Sequence, residues 1–119
     1  KFLGYVSDIP SLLKKADIFL IPSKWEGFGL ASVEAMNASL PCVVSNVPGL
    51  GDLIEKDGKD AFLVSPSNEK IITQRLTQLV ENKELRHEMG KKAFTRSLNF
   101  GVHTMIKDYM NLYKKISNG

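Results

Sequence analysis

Two glutamates, Glu26 and Glu34, stand eight residues apart with two glycines beside the first, in the run Glu26-Gly27-Phe28-Gly29-Leu30-Ala31-Ser32-Val33-Glu34. The run follows Asp17-Ile18-Phe19-Leu20-Ile21-Pro22, a continuous apolar stretch of strand length, and leads into Leu30 to about Ser39, which holds good helix formers and neither Pro nor Gly. A Gly-x-Gly turn between a strand and a helix lets the backbone approach a ligand closely, and the free amides around Leu30 to Ser32 carry the positive end of the helix dipole. That is a cradle for a phosphate or a pyrophosphate. The same glycines would equally serve a tight strand-to-helix turn, so this feature alone does not choose between the two readings.

Glu34 adds weight to the first. Its helix is apolar nearly all round, through Leu30, Ala31, Val33, Ala35, Met36 and Ala38, as befits a helix packed on the flank of a sheet. An ionised carboxylate there is costly unless a donor bonds it. Glu26 and Glu34 flank the phosphate position from two sides, where carboxylates repel phosphate but accept well from sugar hydroxyls. A nucleoside-diphosphate sugar has hydroxyls on both sides of a diphosphate and would satisfy the arrangement. In the competing reading Glu34 pairs with a buried donor of the chain and Glu26 is simply solvated.

The elements that must position these residues alternate. Lys1-Phe2-Leu3-Gly4-Tyr5-Val6 reads as a strand running into a turn, and Ile9, Leu12, Leu13 and Ala16 fall at helical spacing behind Ser7-Asp8, with Pro10 in the first turn. Asp17 to Pro22 is expected to be a central strand, buried on both faces. Pro41 to Ser45 is another buried strand, Gly49 to Ile54 opens a short helix, Asp57-Gly58 turns, and Ala61 to Val64 is a last strand ended by Pro66. This alternation predicts an α/β fold, a Rossmann-like parallel sheet with flanking helices. A helical C-terminal tail follows, with apolar stripes at Ile72, Leu76, Leu79 and Val80, at Leu85, Met89 and Ala93, and at Val102, Ile106, Tyr109, Met110, Tyr113 and Ile116, punctuated by Gly90 and Gly101.

Composition bounds the partners. The 119 residues are 43% hydrophobic, enough for one core, and sixteen basic against thirteen acidic side chains leave a net charge of +3, too mild to mark a nucleic-acid-binding surface. Lys83 to Arg96 with Lys107, Lys114 and Lys115 read as solvated helix faces, and a basic α/β domain binding anionic polymers is the outlying alternative. No apolar stretch approaches the ~20 residues of a membrane span, and no signal pattern opens the chain, so a soluble, cytoplasmic protein is expected. The lone Cys42 lies in an apolar run and reads as a core residue in a reducing compartment. His87 and His103 lack a second ligand at metal spacing, and Trp25 either borders the pocket or packs its rim.

The run from Glu26 to Met36 resembles the Glu-x7-Glu motif of the retaining glycosyltransferases called group 1, or family 4. Further landmarks in family order are Phe2 to Val6 with Asp8, Ala16-Asp17-Ile18, Pro22-Ser23, Leu40 to Ser45, Gly49, Asp52-Leu53-Ile54, Asp57-Gly58 and Phe62-Leu63-Val64. The resemblance implies a two-Rossmann-domain (GT-B) enzyme with the nucleotide-diphosphate sugar donor between its domains. Residues 1–119 would be a single, partial C-terminal nucleotide-sugar-binding domain, inactive alone, with a glycan or lipid acceptor held by the absent N-terminal domain. It implies that Glu26 is the catalytic glutamate against the donor sugar, that Gly27, Phe28, Gly29 and Leu30 contact sugar and diphosphate, and that Glu34 holds ribose hydroxyls. Tyr5 and Val6 would lie near the nucleobase. It implies no metal or cofactor, sugar transfer with retention, no nucleic-acid partner, and peripheral contact with the inner face of a membrane in the whole protein. A non-catalytic nucleotide-sugar-binding module is the alternative. Two departures stand out: Ser39 occupies a position where glycine is usual, and Pro48-Gly49-Leu50-Gly51 replaces a Gly-Gly-x-Pro run.

Overall fold

The computed structural model describes residues 9–24 and 29–100. The elements run α1 (Ile9–Lys14), β1 (Phe19–Ile21), α2 (Leu30–Asn37), β2 (Cys42–Ser45), a 3₁₀ turn (Gly51–Leu53), β3 (Phe62–Val64), α3 (Glu69–Glu81) and α4 (Lys83–Ser97). A second 3₁₀ turn, Leu98–Phe100, closes α4. The three strands form one parallel sheet in the order β1-β2-β3, with Leu20 opposite Val43 and Val44 opposite Leu63. The expected strand at residues 1–6 and the third apolar stripe of the tail lie outside the described residues.

β2 explains the layering. All four of its residues are buried, and alternate side chains point to opposite faces. Cys42 and Val44 join Val33, Ala35 and Met36 of α2, with Leu13 and Ala16 packed alongside from the α1 side. Val43 joins Phe62, Val64 and Leu79, with Ile72 and Leu76 of α3 against them. Burying each of the valine, leucine, isoleucine, methionine and phenylalanine side chains among these is worth about 1.5–3 kcal/mol, and a parallel strand covered on both faces gains from each. α4 closes the edge of both layers, giving Ala93 to the first cluster and Met89 to the second.

Four expectations change. β1, expected to be buried on both faces, has Leu20 40% exposed and Phe19 and Ile21 only half-buried, while the strand expected at residues 1–6 lies outside the described residues. An apolar run of strand length does not reveal how fully each face is covered, which tertiary packing sets. Val80, expected in the core stripe of α3, is exposed because the helix reaches its end there and Arg86 caps it, donating from Nη1 to the carbonyls of Leu79 (2.7 Å) and Val80 (2.9 Å). The expected helix from Gly49 is only the short 3₁₀ turn. Gly90, expected to punctuate the tail, sits in mid-helix, and a methyl built on it would collide with the carbonyl oxygen of Ser39. Glycine there lets α4 cross the end of α2 at close range.

Side chains cap the joins. The Asn68 Oδ1 accepts from the Ile71 amide (3.1 Å) at the start of α3, and Asn82 Oδ1 from Leu85 (3.0 Å) at the start of α4, each cap contributing about 1 kcal/mol. α2 ends in a Schellman arrangement, the amides of Ser39 and Leu40 donating to the carbonyls of Met36 (3.0 Å) and Ala35 (3.1 Å). Ser39 therefore holds a left-handed φ of 63° that glycine adopts more readily. The departure noted in the sequence thus leaves the turn's hydrogen bonds in place. In the loop before β3, the buried Asp60 accepts from the amides of Glu55 (2.9 Å) and Lys56 (3.0 Å).

Candidate functional site

Parallel strands end together at one edge of a sheet, and ligands of open α/β folds sit beyond that edge. Here the ends of β1 and β2 are latched by Ser45, whose Oγ donates to the carbonyl of Ile21 (3.2 Å). The loops leaving them converge. Gly29 caps α2 with φ 71° and ψ 37°, a left-handed conformation, and a methyl built on it would lie 2.7 Å from Leu50 Cδ2, 2.9 Å from Leu53 Cδ1 and 3.4 Å from the Gly49 carbonyl oxygen. Both conformation and space exclude a side chain. Glycine at this position is therefore a requirement of the packing, quite apart from any ligand.

No side chain of the described residues caps α2, and its first intrahelical bond runs from the Val33 amide to the Gly29 carbonyl (3.1 Å). The amides ahead of Val33 precede the helical ladder, and the helix dipole places its positive end there. Ser32, in this first turn, is buried, and its Oγ has no hydrogen-bond partner among the described residues. Glu34 stands five residues beyond Gly29, about 7.5 Å along the axis. It is half-buried, and desolvation by burial pushes its carboxyl above the ordinary value of 4.5. No donor among the described residues bonds its carboxylate. The competing reading, in which Glu34 pairs with a buried donor of the chain, therefore finds no such donor among the described residues, and the need for a partner stands.

Of the residues expected at the site, the structure brings together Gly29, the backbone of Leu30, and Glu34. Tyr5, Val6, Glu26, Gly27 and Phe28 lie outside the described residues, as do Trp25 and His103. Among the described residues no group of three or more His, Cys, Asp or Glu side chains could hold a metal, and none of the helices is long and apolar enough to cross a membrane. His87 is exposed on α4. Cys42 is a buried core residue whose thiol is pushed up to about 12, by burial first and by the nearby Asp60 charge second.

The structure adds residues that the sequence did not single out. Leu50 is fully buried against Gly29. Arg96 donates from Nε to the carbonyl of Leu53 (2.9 Å) and from Nη2 to that of Asp52 (3.5 Å), with its guanidinium 4.9 Å from the centre of the Phe100 ring. Among the basic residues of α4 expected to be solvated, Lys83, Lys91 and Lys92 are, while Arg86 and Arg96 are half-buried and bonded. Only a leucine between two glycines hinted at Leu50. Nothing in the sequence marked Arg96, because its partners are backbone carbonyls 43 and 44 residues away.

Similarity to known proteins agrees with this geometry. The chain is 35% identical over 112 residues to the UDP-Gal:alpha-D-GlcNAc-diphosphoundecaprenol alpha-1,3-galactosyltransferase of Escherichia coli, covering 93% of this chain and 28% of that protein. It is 30% identical over 115 residues to the N,N'-diacetylbacillosaminyl-diphospho-undecaprenol alpha-1,3-N-acetylgalactosaminyltransferase of Campylobacter jejuni, covering 97% of this chain and 30% of that one. The chain thus spans less than a third of the length of these relatives. Its backbone matches the C-terminal domain of a glycosyl transferase group 1 family protein from Francisella tularensis, with a TM-score of 0.74 and 27% identity over 82% of this chain and 51% of that one. It also matches Anabaena HepE in complex with UDP, with a TM-score of 0.79 and 25% identity over 93% of this chain and 32% of that one. A parallel sheet between helical layers, a left-handed glycine at the mouth of an uncapped helix, and a match to the family model for glycosyl transferases group 1 over residues 1–96 lead to one conclusion: the chain belongs to that family, with the fold of a GT-B C-terminal domain.

Proposed function

We propose that this chain is much of the C-terminal, donor-binding domain of a retaining glycosyltransferase of the family 4 type, which moves a sugar from a nucleotide-diphosphate donor to a glycan or lipid-linked acceptor. The observation that carries the reading is Glu34, a half-buried carboxylate that no donor among the described residues bonds, one helical turn beyond a helix N-terminus that none of their side chains caps. Ribose hydroxyls supply the donors that Glu34 lacks, and the amides of α2 with the helix dipole meet the diphosphate. Glu26 serves as the catalytic glutamate against the donor sugar, with Gly27, Phe28 and the Leu30 amide at the sugar and diphosphate and Tyr5 and Val6 toward the base. The UDP complex of Anabaena HepE and the undecaprenol-linked acceptor substrates in the names of the two bacterial relatives support this choice of ligand and acceptor classes.

As the leaving group departs, charge develops on the diphosphate, and pre-oriented amides stabilise such charge without reorganising. Stabilisation there also needs the opposite wall of the cleft, so the 119 residues alone do not turn over. Peripheral contact with the cytoplasmic face of a membrane follows if the acceptor is lipid-linked.

The test is calorimetric titration of the full-length protein with UDP-glucose, GDP-mannose and UDP, repeated on Glu34→Ala. Binding of one nucleotide class that weakens by about tenfold or more in the variant is the expected result, since a lost charge-assisted hydrogen bond is worth about 1.5–3 kcal/mol. Nucleotide binding indifferent to Glu34→Ala would remove Glu34 from the site.

A further inference from the structure

Gly29 owes its conformation to a neighbour that contacts no ligand in the reading above. Its left-handed φ of 71° is enclosed by Leu50 and Leu53, which leave no room for even a methyl group. Leu50 is itself fully buried and is fixed through its backbone, its amide donating to the carbonyl of Val47 (3.1 Å) and its carbonyl accepting from Leu53 (3.1 Å). The turn that carries Leu53 is held from its other side by α4, through the bonds from Arg96 to the Leu53 and Asp52 carbonyls. A continuous set of contacts thus runs from Arg96 on α4, through the 3₁₀ turn, to the glycine that starts α2.

We infer that Leu50, with Arg96 behind it, is a positioning residue for the donor site: it sets the entry of α2 and so the direction of the amides that meet the diphosphate. This rests on the donor reading above and extends it to residues beyond the motif. The physical basis is that a site built on backbone amides is only as well placed as the loop beneath it, and small displacements of a charge-binding group are costly. It also gives a meaning to the departure at Pro48-Gly49-Leu50-Gly51. The family's usual run is replaced, yet a bulky apolar side chain still closes over Gly29.

The experiment measures the affinity of the full-length protein for UDP, GDP and ADP, well below the melting temperature, in the parent and in four variants. Leu50→Ala is expected to weaken the nucleotide that the parent binds by about tenfold or more. Leu50→Met, which refills the space, restores most of the affinity. Leu79→Ala, which empties a similar volume on the opposite face of the sheet, lowers the melting temperature but leaves the affinity within about twofold of the parent. Arg96→Gln loosens the turn without opening a core cavity and weakens binding in the same direction as Leu50→Ala, so the test survives if that variant fails to fold. Affinity unchanged in both Leu50→Ala and Arg96→Gln, or reduced equally by Leu79→Ala, overturns the positioning role and leaves the donor site standing. A parent that binds none of the three nucleotides overturns the donor reading and the positioning role together.

Discussion

Glu34 shows at the residue scale what the partial burial of a carboxylate does to the fold. Burial raises its carboxyl above 4.5, so the folded protein holds the proton more tightly than the unfolded chain does. A group shifted in this direction contributes stability that is fully present below its unfolded value and is lost as pH rises through the folded value. At neutral pH its charge therefore works against folding. Glu34→Gln should raise the melting temperature of the ligand-free protein at about pH 7, with the advantage fading toward about pH 4, where the parent is protonated too. Thermal scans across that range check it, and an advantage that grew at low pH would refute it. Ser39 carries a different local cost, because its left-handed φ of 63° crowds its Cβ. Ser39→Gly should raise stability by about 0.5–1 kcal/mol, the strain relieved exceeding the extra freedom glycine has in the unfolded chain. A denaturant midpoint that falls would show that the Ser39 side chain is itself stabilising.

At the scale of elements, the crossing of α2 and α4 is the joint that the sequence concealed. Gly90 lies where the helix propensity of alanine is higher by about 1 kcal/mol, yet its Cα faces the carbonyl of Ser39 too closely for any side chain. Gly90→Ala is expected to lose about 1–3 kcal/mol, because the obstructing atoms are backbone and cannot rotate away. Denaturant unfolding with far-UV circular dichroism reads the loss, and a gain in stability would mean that α4 can move aside at little cost. A glycine within a helical pattern looks in sequence like a break, whereas here the close approach makes it part of the helix. The stripe at Leu85, Met89 and Ala93 was legible, since Met89 and Ala93 are buried and Leu85 half-buried, while Val80 was not, because the same periodicity continues past the point where the core ends.

Over the whole molecule, the alternation of apolar runs and amphipathic segments determined the parallel α/β layering, since short strands buried on two faces and helices with one apolar face have few ways to pack together. The same sequence marked Glu26 and Glu34, on either side of the Gly27-Phe28-Gly29 turn, as a pair worth testing, because a carboxylate on an apolar helix is an anomaly that calls for a partner. Tertiary structure decided the rest. It left Leu20 of β1 exposed, brought Leu50 and Leu53 over Gly29, left Glu34 without a donor among the described residues, and tied Arg96 to carbonyls far along the chain. Periodicity and residue type are local properties and can be read along a line. Which surfaces meet depends on contacts between segments distant in sequence, and these are fixed only when the core closes.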